Sequence, residues 1–291
     1  MTRTSVLRGR TAVVTGAARG LGAALGRALV LRGARVALLG LEGDELARVA
    51  ASLPDGAAVH RVVDVTDEAG LADAAAWTER RLGTPSVVVA NAGVAEAGPF
   101  GRCDPRVWRR IVEVNLVGSA NTARAFLPGL LATRGYHLQI ASSAALAPAP
   151  LLSAYCASKS GVEAFAHVLR TEVGPRGVGV GVAYLSWAET GMTEDADRHH
   201  ALRRIKAGMP WPGSKLYPVD PVAARLADGI ERRAAHVYGQ PWLRAVRVLR
   251  PLLPGAVAWH SRHSGGPGRL EDIEPTGLLG SGGGAAAGPV R

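Results

Sequence analysis

Cysteine, lysine and long apolar runs are all scarce in this chain of 291 residues. Having only two cysteines, Cys103 and Cys156, argues against a disulfide framework and fits a reducing compartment. Residues 1–10 lack the apolar centre of a secretory signal, and apolar runs such as residues 36–39 are far too short to cross a bilayer. We therefore expect a cytoplasmic protein.

Positive charge is concentrated in the last third of the chain. Lys and Arg number 34 against 24 Asp and Glu, and only three of the 34 are lysines, at positions 159, 206 and 215. Residues 1–197 hold 20 basic and 18 acidic residues, whereas residues 198–291 hold 14 basic and 6 acidic. A net charge of +10 would suggest a nucleic-acid partner if the charge were spread over the whole chain. Because most of the chain is nearly neutral, we expect no nucleic-acid partner.

Short apolar segments alternate with segments of helical periodicity along most of the chain. This alternation predicts an α/β fold with a doubly wound parallel sheet of the Rossmann type, in three αβα layers. Such sheets bind ligands at the carboxyl ends of their strands. The predicted strands are residues 11–15, 36–39, 59–63, 86–90, 137–141 and 178–184, and the predicted helices are residues 21–31, 68–81, 105–131, 154–173 and 221–233.

The pattern changes in the C-terminal third. We predict a single domain over residues 1–240, in which the irregular segment 186–217 is a mobile loop or lid. Residues 241–264 combine apolar and arginine positions as a basic amphipathic segment would. That segment could meet an anionic membrane through residues 240–260, meet a partner subunit or the lid, or cover the protein's own core. Residues 265–291 are rich in Gly, Ala, Pro and Ser, and we expect a disordered tail.

A glycine-rich turn follows the first predicted strand. The letters TGAARGLG occupy residues 15–22 and lead directly into a helix, so backbone amides and the helix dipole can face a pyrophosphate. Three spaced glycines alone are weak evidence in a chain with 37 glycines, and their place between strand and helix is what favours a dinucleotide site. The candidate cofactor residues here are Thr15, Gly16, Arg19, Gly20, Leu21 and Gly22.

Further motifs follow in a fixed order: VVDV at residues 62–65, ANAG at 90–93 and VNL at 114–116. Each alone is also typical of an ordinary turn or cap. Together with the TGxxxGxG spacing, they make residues 8–240 resemble the short-chain dehydrogenase/reductase family. The resemblance implies an adenine contact at Asp64 and Val65, and a turn beside the cofactor at Asn91, Ala92 and Gly93. It also implies an asparagine, Asn115, that holds a proton-relay water.

Tyr155 and Lys159 are spaced to lie one helical turn apart on the same face. A cation about 4 Å away stabilises a phenolate by roughly 4 kcal/mol at an intermediate dielectric, so we expect Lys159 to lower the pKa of Tyr155. An ordinary helix pair is the alternative interpretation. Most cations in this chain are arginines, so a lysine at this position favours the catalytic interpretation, because an ammonium can join a proton relay and a guanidinium cannot.

The resemblance also implies a hydroxyl thirteen residues before the tyrosine. Ser142 and Ser143 compete for this role, and counting from Tyr155 selects Ser142, which would orient the substrate oxygen. Thr190 matches the family's nicotinamide contact, although Leu185 and Ser186 replace the usual Pro-Gly before it.

The choice between the two nicotinamide cofactors depends on the end of the second strand. Gly40 stands where NAD-dependent members carry an acid, and Arg19 matches a basic position that resembles members preferring NADP. NADP is therefore the expected cofactor. NAD stays possible, because Glu42 could reach back to the ribose or Arg19 could be merely solvated.

These motifs predict an NAD(P)-dependent oxidoreductase that transfers hydride between the cofactor and a hydrophobic alcohol or ketone. Trp187, Met192, Trp211 and Leu216 are candidates for an apolar pocket, or for lid residues packed on the core. His199 and His200 lack partners at metal spacing, so no metal is expected. The resemblance implies a homodimer or homotetramer through residues 106–131 and 155–171. The alternatives are a non-catalytic dinucleotide-binding regulator and a membrane-peripheral scaffold.

Overall fold

The fold is built on a parallel sheet of seven strands, seen in a computed structural model that describes residues 5–189, 199–263 and 272–279. The strand order is β3-β2-β1-β4-β5-β6-β7, which confirms the predicted doubly wound α/β class. The order reverses between β1 and β4, so a crevice forms at the carboxyl ends of these two strands. The strands are β1 (Thr11–Thr15), β2 (Arg35–Gly40), β3 (Ala58–Val62), β4 (Pro85–Ala90), β5 (Tyr136–Ile140), β6 (Gly179–Tyr184) and β7 (His236–Tyr238).

Ten α-helices are defined in the described residues. They are α1 (Gly20–Val30), α2 (Gly43–Ala51), α3 (Glu68–Leu82), α4 (Pro105–Val112), α5 (Gly118–Thr133), α6 (Ser153–Val173), α7 (His200–Gly208), α8 (Val219–Glu231), α9 (Leu243–Leu249) and α10 (Leu253–His263). A π-helical turn, Glu113–Val117, joins α4 to α5 where the sequence predicted one continuous helix. Among the described residues, none of the helices has both the length and the apolar character needed to cross a membrane.

Two apolar clusters pack on the two faces of the sheet. One joins the strands to α3, α4, α5 and α6, and includes Leu71, Ile111, Phe126 and Val162. The other joins them to α1 and α8, and includes Leu25 and Leu226. The central strands are buried on both faces because helices cover both sides, which is why they consist of continuous apolar runs.

The sequence missed three elements, α2, α7 and β7. Helix α7 lies inside the segment predicted as an irregular lid, and β7 has only three residues, too few for a recognisable strand pattern. In the predicted amphipathic segment, α9 and α10 are separated by a 3₁₀ turn, Arg250–Leu252, which contains a proline.

The expectation of a disordered tail over residues 265–291 fails for residues 272–279. Ile273 and Leu279 are buried, and Leu279 forms an antiparallel bridge with Ala95. Two apolar side chains spaced among polar residues give no periodic signal, so composition alone concealed this contact. The rest of the predicted tail lies outside the described residues.

Candidate active site

The β1–α1 turn and the end of β4 are tied together by side-chain hydrogen bonds. The Asn91 side-chain amide donates to the carbonyl oxygens of Thr15 at 2.9 Å and Gly16 at 3.1 Å. The Thr15 hydroxyl accepts from the backbone amides of Asn91 at 3.0 Å and Ala92 at 3.2 Å. Asn91 and Thr15 therefore hold the glycine turn against the carboxyl end of β4.

Glycine is required in this turn by close approach as well as by conformation. Gly16 has a φ of +62°, and a Cβ there would lie 2.8 Å from the Ala92 Cα. A Cβ on Gly22 would lie 2.1 Å from the Gly16 carbonyl oxygen. The backbone N–H groups of the turn are thus not covered by side chains, as close approach of a pyrophosphate requires. Gly20 and Leu21 open α1 directly after it.

Two carboxylates surround the candidate phosphate-binding arginine at the end of β2. Arg19 Nη2 lies 3.3 Å from Glu45 Oε1, and its Nε lies 3.9 Å from Glu42 Oε1. Glu42 Oε1 is buried without a hydrogen-bond partner among the described residues. Gly40 ends β2, two residues before this carboxylate. Glu42 Oε1 could therefore accept a hydrogen bond from a ligand hydroxyl, and the two carboxylates place negative charge beside the Arg19 guanidinium.

Asp64 is held as a carboxylate beside the crevice. It accepts from the Thr66 amide at 2.9 Å and hydroxyl at 2.8 Å, and from Arg110 at 2.9 Å. Burial opposes ionisation, but these hydrogen bonds and the Arg110 charge outweigh it, so the pKa of Asp64 lies below its ordinary value. Val65 is buried, and its side chain packs against Gly118.

Asn115 lies in the π-helical turn and clamps the loop after β4. Its Oδ1 accepts from the Val94 amide at 2.8 Å, while its Nδ2 donates to the Val94 carbonyl and to Ser158 Oγ, each at 2.9 Å. The Asn115 carbonyl accepts from Ser119 Oγ at 2.7 Å. Gly93 leaves the space between this amide and Lys159, because a Cβ there would lie 3.1 Å from Asn115 Oδ1 and 3.5 Å from Lys159 Nζ.

Ser142, Tyr155 and Lys159 meet at the carboxyl end of β5 and the start of α6. The Ser142 hydroxyl accepts from the Ala144 amide at 3.1 Å and donates to the Leu185 carbonyl at 3.5 Å, and it lies close enough to the Tyr155 phenol to favour its ionised form. The buried Lys159 places its Nζ 5.6 Å from the centre of the Tyr155 ring, and donates to the Ile140 carbonyl at 3.2 Å. One α6 face and one strand end thus supply a hydroxyl, a phenol and an amine.

The expectation that Lys159 lowers the pKa of Tyr155 fails in this geometry. Burial raises the pKa of the phenol, and the hydrogen bond with Ser142 works against that rise. Burial also lowers the pKa of Lys159 to about 8. The ammonium lies over the ring and donates to a backbone carbonyl, so burial penalises both charged forms without a direct contact between them.

A known protein family matches most of the chain. The family described as short chain dehydrogenase matches residues 10–201. The chain belongs to the short-chain dehydrogenase/reductase family. It is therefore an NAD(P)-dependent oxidoreductase that acts on alcohol and carbonyl groups.

Individual relatives of this dehydrogenase differ in their described activities. It is 35% identical over 223 residues to the "Inactive 2-(S)-hydroxypropyl-CoM dehydrogenase 2" of Xanthobacter autotrophicus, covering 74% of this chain and 95% of that protein. It is 36% identical over 177 residues to the D-threitol dehydrogenase of Mycolicibacterium smegmatis, covering 60% and 68%. In fold it resembles a short chain dehydrogenase/reductase from Burkholderia phymatum, solved in complex with NAD, with a TM-score of 0.73, 24% identity, and 84% and 94% of the chains covered.

An apolar wall beside Tyr155 is built from elements that the sequence did not associate. A separate cluster joins Leu152, Leu202 of α7 and the tail residues Ile273 and Leu279, with Tyr155 and Trp187 packed against it. The tail is held by backbone hydrogen bonds from the Leu279 amide to the Ala95 carbonyl at 2.7 Å and from the Thr276 amide to the Ala97 carbonyl at 2.9 Å. No local pattern in the sequence signals these contacts.

The four residues proposed from sequence for this wall have different positions. Trp187 belongs to it, and its Nε1 donates to the Met209 sulfur at 3.2 Å. Trp211 is 82% exposed, which makes it a surface residue, and Leu216 is only partly buried. Met192, like the predicted nicotinamide contact Thr190, lies outside the described residues.

Proposed function

We propose that this dehydrogenase transfers hydride between a nicotinamide cofactor and a small hydrophobic alcohol or ketone, with Tyr155 as the acid or base. The observation that carries the proposal is the meeting of Ser142, Tyr155 and Lys159 beside an apolar wall. Bound at the β1–α1 turn, the cofactor supplies the hydride chemistry. Thr15, Gly16 and Asn91 shape the turn that would hold it, while Asp64 stands beside the crevice.

Each residue of the group has a separate task. Tyr155 gives its phenolic proton to the substrate oxygen when a carbonyl is reduced, and takes the hydroxyl proton when an alcohol is oxidised. Ser142 donates a hydrogen bond to the same oxygen and fixes its distance from the phenol. A proton relay that passes Lys159 and the backbone carbonyl of Asn115 restores the proton on Tyr155. The raised pKa of Tyr155 keeps the phenol protonated near neutral pH, which suits reduction.

A non-catalytic regulator is the competing function, since one relative is named inactive. Such a protein has no need for Ser142, Tyr155 and Lys159 to meet. In a panel of hydrophobic ketones, Tyr155→Phe should lose at least about a thousandfold in kcat while cofactor affinity changes less than about threefold. Tyr238→Phe, which removes a hydroxyl outside this group, is the matched control. Turnover unaltered by Tyr155→Phe would contradict the proposal.

The geometry at the end of β2 leads us to propose NAD in place of the NADP expected from sequence. A 2′-phosphate near Arg19 would also meet the charges of Glu42 and Glu45, whereas a ribose hydroxyl could donate to Glu42 Oε1, which accepts no hydrogen bond from the described residues. In fluorescence titrations, NADH should bind at least about tenfold tighter than NADPH, and Glu42→Gln should reduce that ratio. Asp44→Asn on the same helix is the control. Tighter binding of NADPH would overturn this assignment.

We further propose an oligomer formed through the helices that follow β4 and β5. Val117 and Val168 are 44% and 56% exposed on this surface, as unpaired interface residues would be. Light scattering should give the mass of a dimer or tetramer, and Val117→Asp/Val168→Asp should lower it. A monomeric wild-type protein would exclude the proposal.

A cytoplasmic location also stays a proposal, consistent with the free thiols of Cys103 and Cys156.

A further inference from the structure

The C-terminal segment formed by α9, the 3₁₀ turn and α10 is anchored to the body of the molecule by one face. Leu243 is fully buried, Arg247 Nη2 lies 3.0 Å from His236 Nε2, and Arg250 lies 2.8 Å from the buried Glu163 carboxylate. Burial and the neighbouring arginines lower the pKa of His236 to about 4, so its neutral ring can accept from Arg247. The inward positions are thus used to hold the segment in place.

The segment also carries large apolar side chains that are mostly exposed among the described residues, although the Trp259 ring stacks on His263 with their centroids 4.6 Å apart. Val248 is 76% exposed, Leu249 51%, Leu252 68% and Trp259 58%, and we call these four residues the C-terminal stripe. Val248 and Leu249 end α9, Leu252 lies in the 3₁₀ turn and Trp259 lies in α10, so the stripe runs through three consecutive elements. The stripe contains four of the eleven large apolar side chains that are exposed in the described residues, within twelve positions of the chain. No residue of α10 is buried. An exposed apolar cluster of this kind indicates an interaction surface.

Charge discriminates between the occupants of this surface. No Asp or Glu occurs from residue 232 to residue 270, and exposed arginines lie near both ends of the stripe, at Arg244 and Arg262. In a symmetric contact between two copies, the same surface meets itself, so these positive charges would face each other. An anionic bilayer supplies both the negative charge and the apolar depth, and tryptophan favours its interface.

We propose that the C-terminal stripe docks this enzyme on the surface of an anionic lipid bilayer. The α9–α10 segment lies along the interface, with Leu252 and Trp259 entering the headgroup region and Arg244 and Arg262 near lipid phosphates. The surface is separate from the Ser142–Tyr155–Lys159 group, so docking requires no change in the reaction. Its role is to bring the active site close to a hydrophobic substrate dissolved in the membrane.

Co-sedimentation of the full-length enzyme with vesicles tests the docking. The wild-type protein should bind phosphatidylglycerol vesicles at low salt, bind phosphatidylcholine vesicles at least about tenfold more weakly, and dissociate as salt rises. Leu252→Ser/Trp259→Ser should weaken binding to phosphatidylglycerol by at least about tenfold. Leu31→Ser/Phe100→Ser removes comparable exposed apolar side chains elsewhere and should bind as the wild type does.

The charge contribution has its own pair of variants. Arg262→Glu should weaken binding about tenfold, whereas Arg176→Glu, on an exposed turn outside the segment, should have a much smaller effect. Ketone reductase activity in detergent-free buffer should stay unchanged in Leu252→Ser/Trp259→Ser, which separates this proposal from that of the catalytic group. Absence of binding to phosphatidylglycerol, or equal binding by wild type and Leu252→Ser/Trp259→Ser, would overturn it. A smaller mass of that variant in light scattering would also overturn it, by identifying the stripe as a contact between copies.

Discussion

At the scale of single residues, burial governs the ionisation of Tyr155 and Lys159 more than charge pairing does. Lys159 is 4% exposed and its pKa falls to about 8, while the pKa of Tyr155 rises. The sequence placed the two groups on one face of a helix, but it carried no information about their solvation. An amine whose pKa lies near 8 gives up its proton more readily than an ordinary lysine does, which suits a relay.

The depressed pKa of Lys159 predicts a pH-dependent cost in stability. Between about pH 8 and the ordinary pKa of lysine, the unfolded chain holds a proton that the folded protein releases, so this residue's contribution to stability rises with pH in that window. Below about pH 8 the full cost applies, on the order of 3 kcal/mol. Lys159→Met should therefore be more stable than wild type at pH 7, and the difference in the free energy of urea unfolding should shrink toward pH 10. A difference independent of pH would contradict the assigned pKa. Lys206→Met is the control.

At the scale of elements, the tail 272–279 does more than its composition suggests. Its backbone pairs with residues 95–97, and Ile273 packs in the cluster that also contains Leu152 and Leu202 of α7. The tail therefore braces both the loop after β4 and the helix that covers the substrate side. Because Tyr155 packs against that cluster, we expect the tail to influence substrate binding and to leave the cofactor turn unaffected.

Ile273→Ser tests the bracing role of the tail. Burial of an aliphatic side chain contributes about 2 kcal/mol, so the substitution should loosen the tail and raise KM for a hydrophobic ketone about tenfold. The cofactor dissociation constant should stay within about twofold of wild type, since the turn lies on another element. Asp272→Asn, at the neighbouring exposed position, should leave both constants unchanged. An unaltered KM in Ile273→Ser would show that the tail plays no part in the site.

At the scale of the whole molecule, one buried carboxylate links the sheet, α6 and the C-terminal segment. Glu163 on α6 accepts from the Tyr184 hydroxyl of β6 at 2.6 Å and pairs with Arg250, which follows α9. A buried carboxylate without its cation is costly, so the ion pair stabilises the packing of the C-terminal segment against α6.

Removing the cation alone should therefore destabilise the fold more than removing both partners. Because Arg250 is 43% exposed on its side chain, water offsets part of the loss, and we expect Arg250→Met to cost about 2 kcal/mol in urea unfolding. Glu163→Gln/Arg250→Met should recover at least half of that cost, since no unpaired charge remains. Arg244→Met is the control for loss of an arginine in the same segment. Equal destabilisation by the single and double variants would show that the charge pair is not coupled.

The sequence by itself determined the α/β class, the positions of six strands and the residues that meet at the crevice. These features are encoded locally: the apolar periodicity marks strands and helices, and the glycine turn and the Tyr155–Lys159 spacing each span only a few residues. The tertiary structure decided the rest, because those features depend on distant groups. The pKa of Lys159, the two carboxylates around Arg19 and the return of residues 272–279 to the site all arise from contacts between segments far apart in the chain. Periodicity reports which face of a segment is apolar, but it does not report which other segment covers that face.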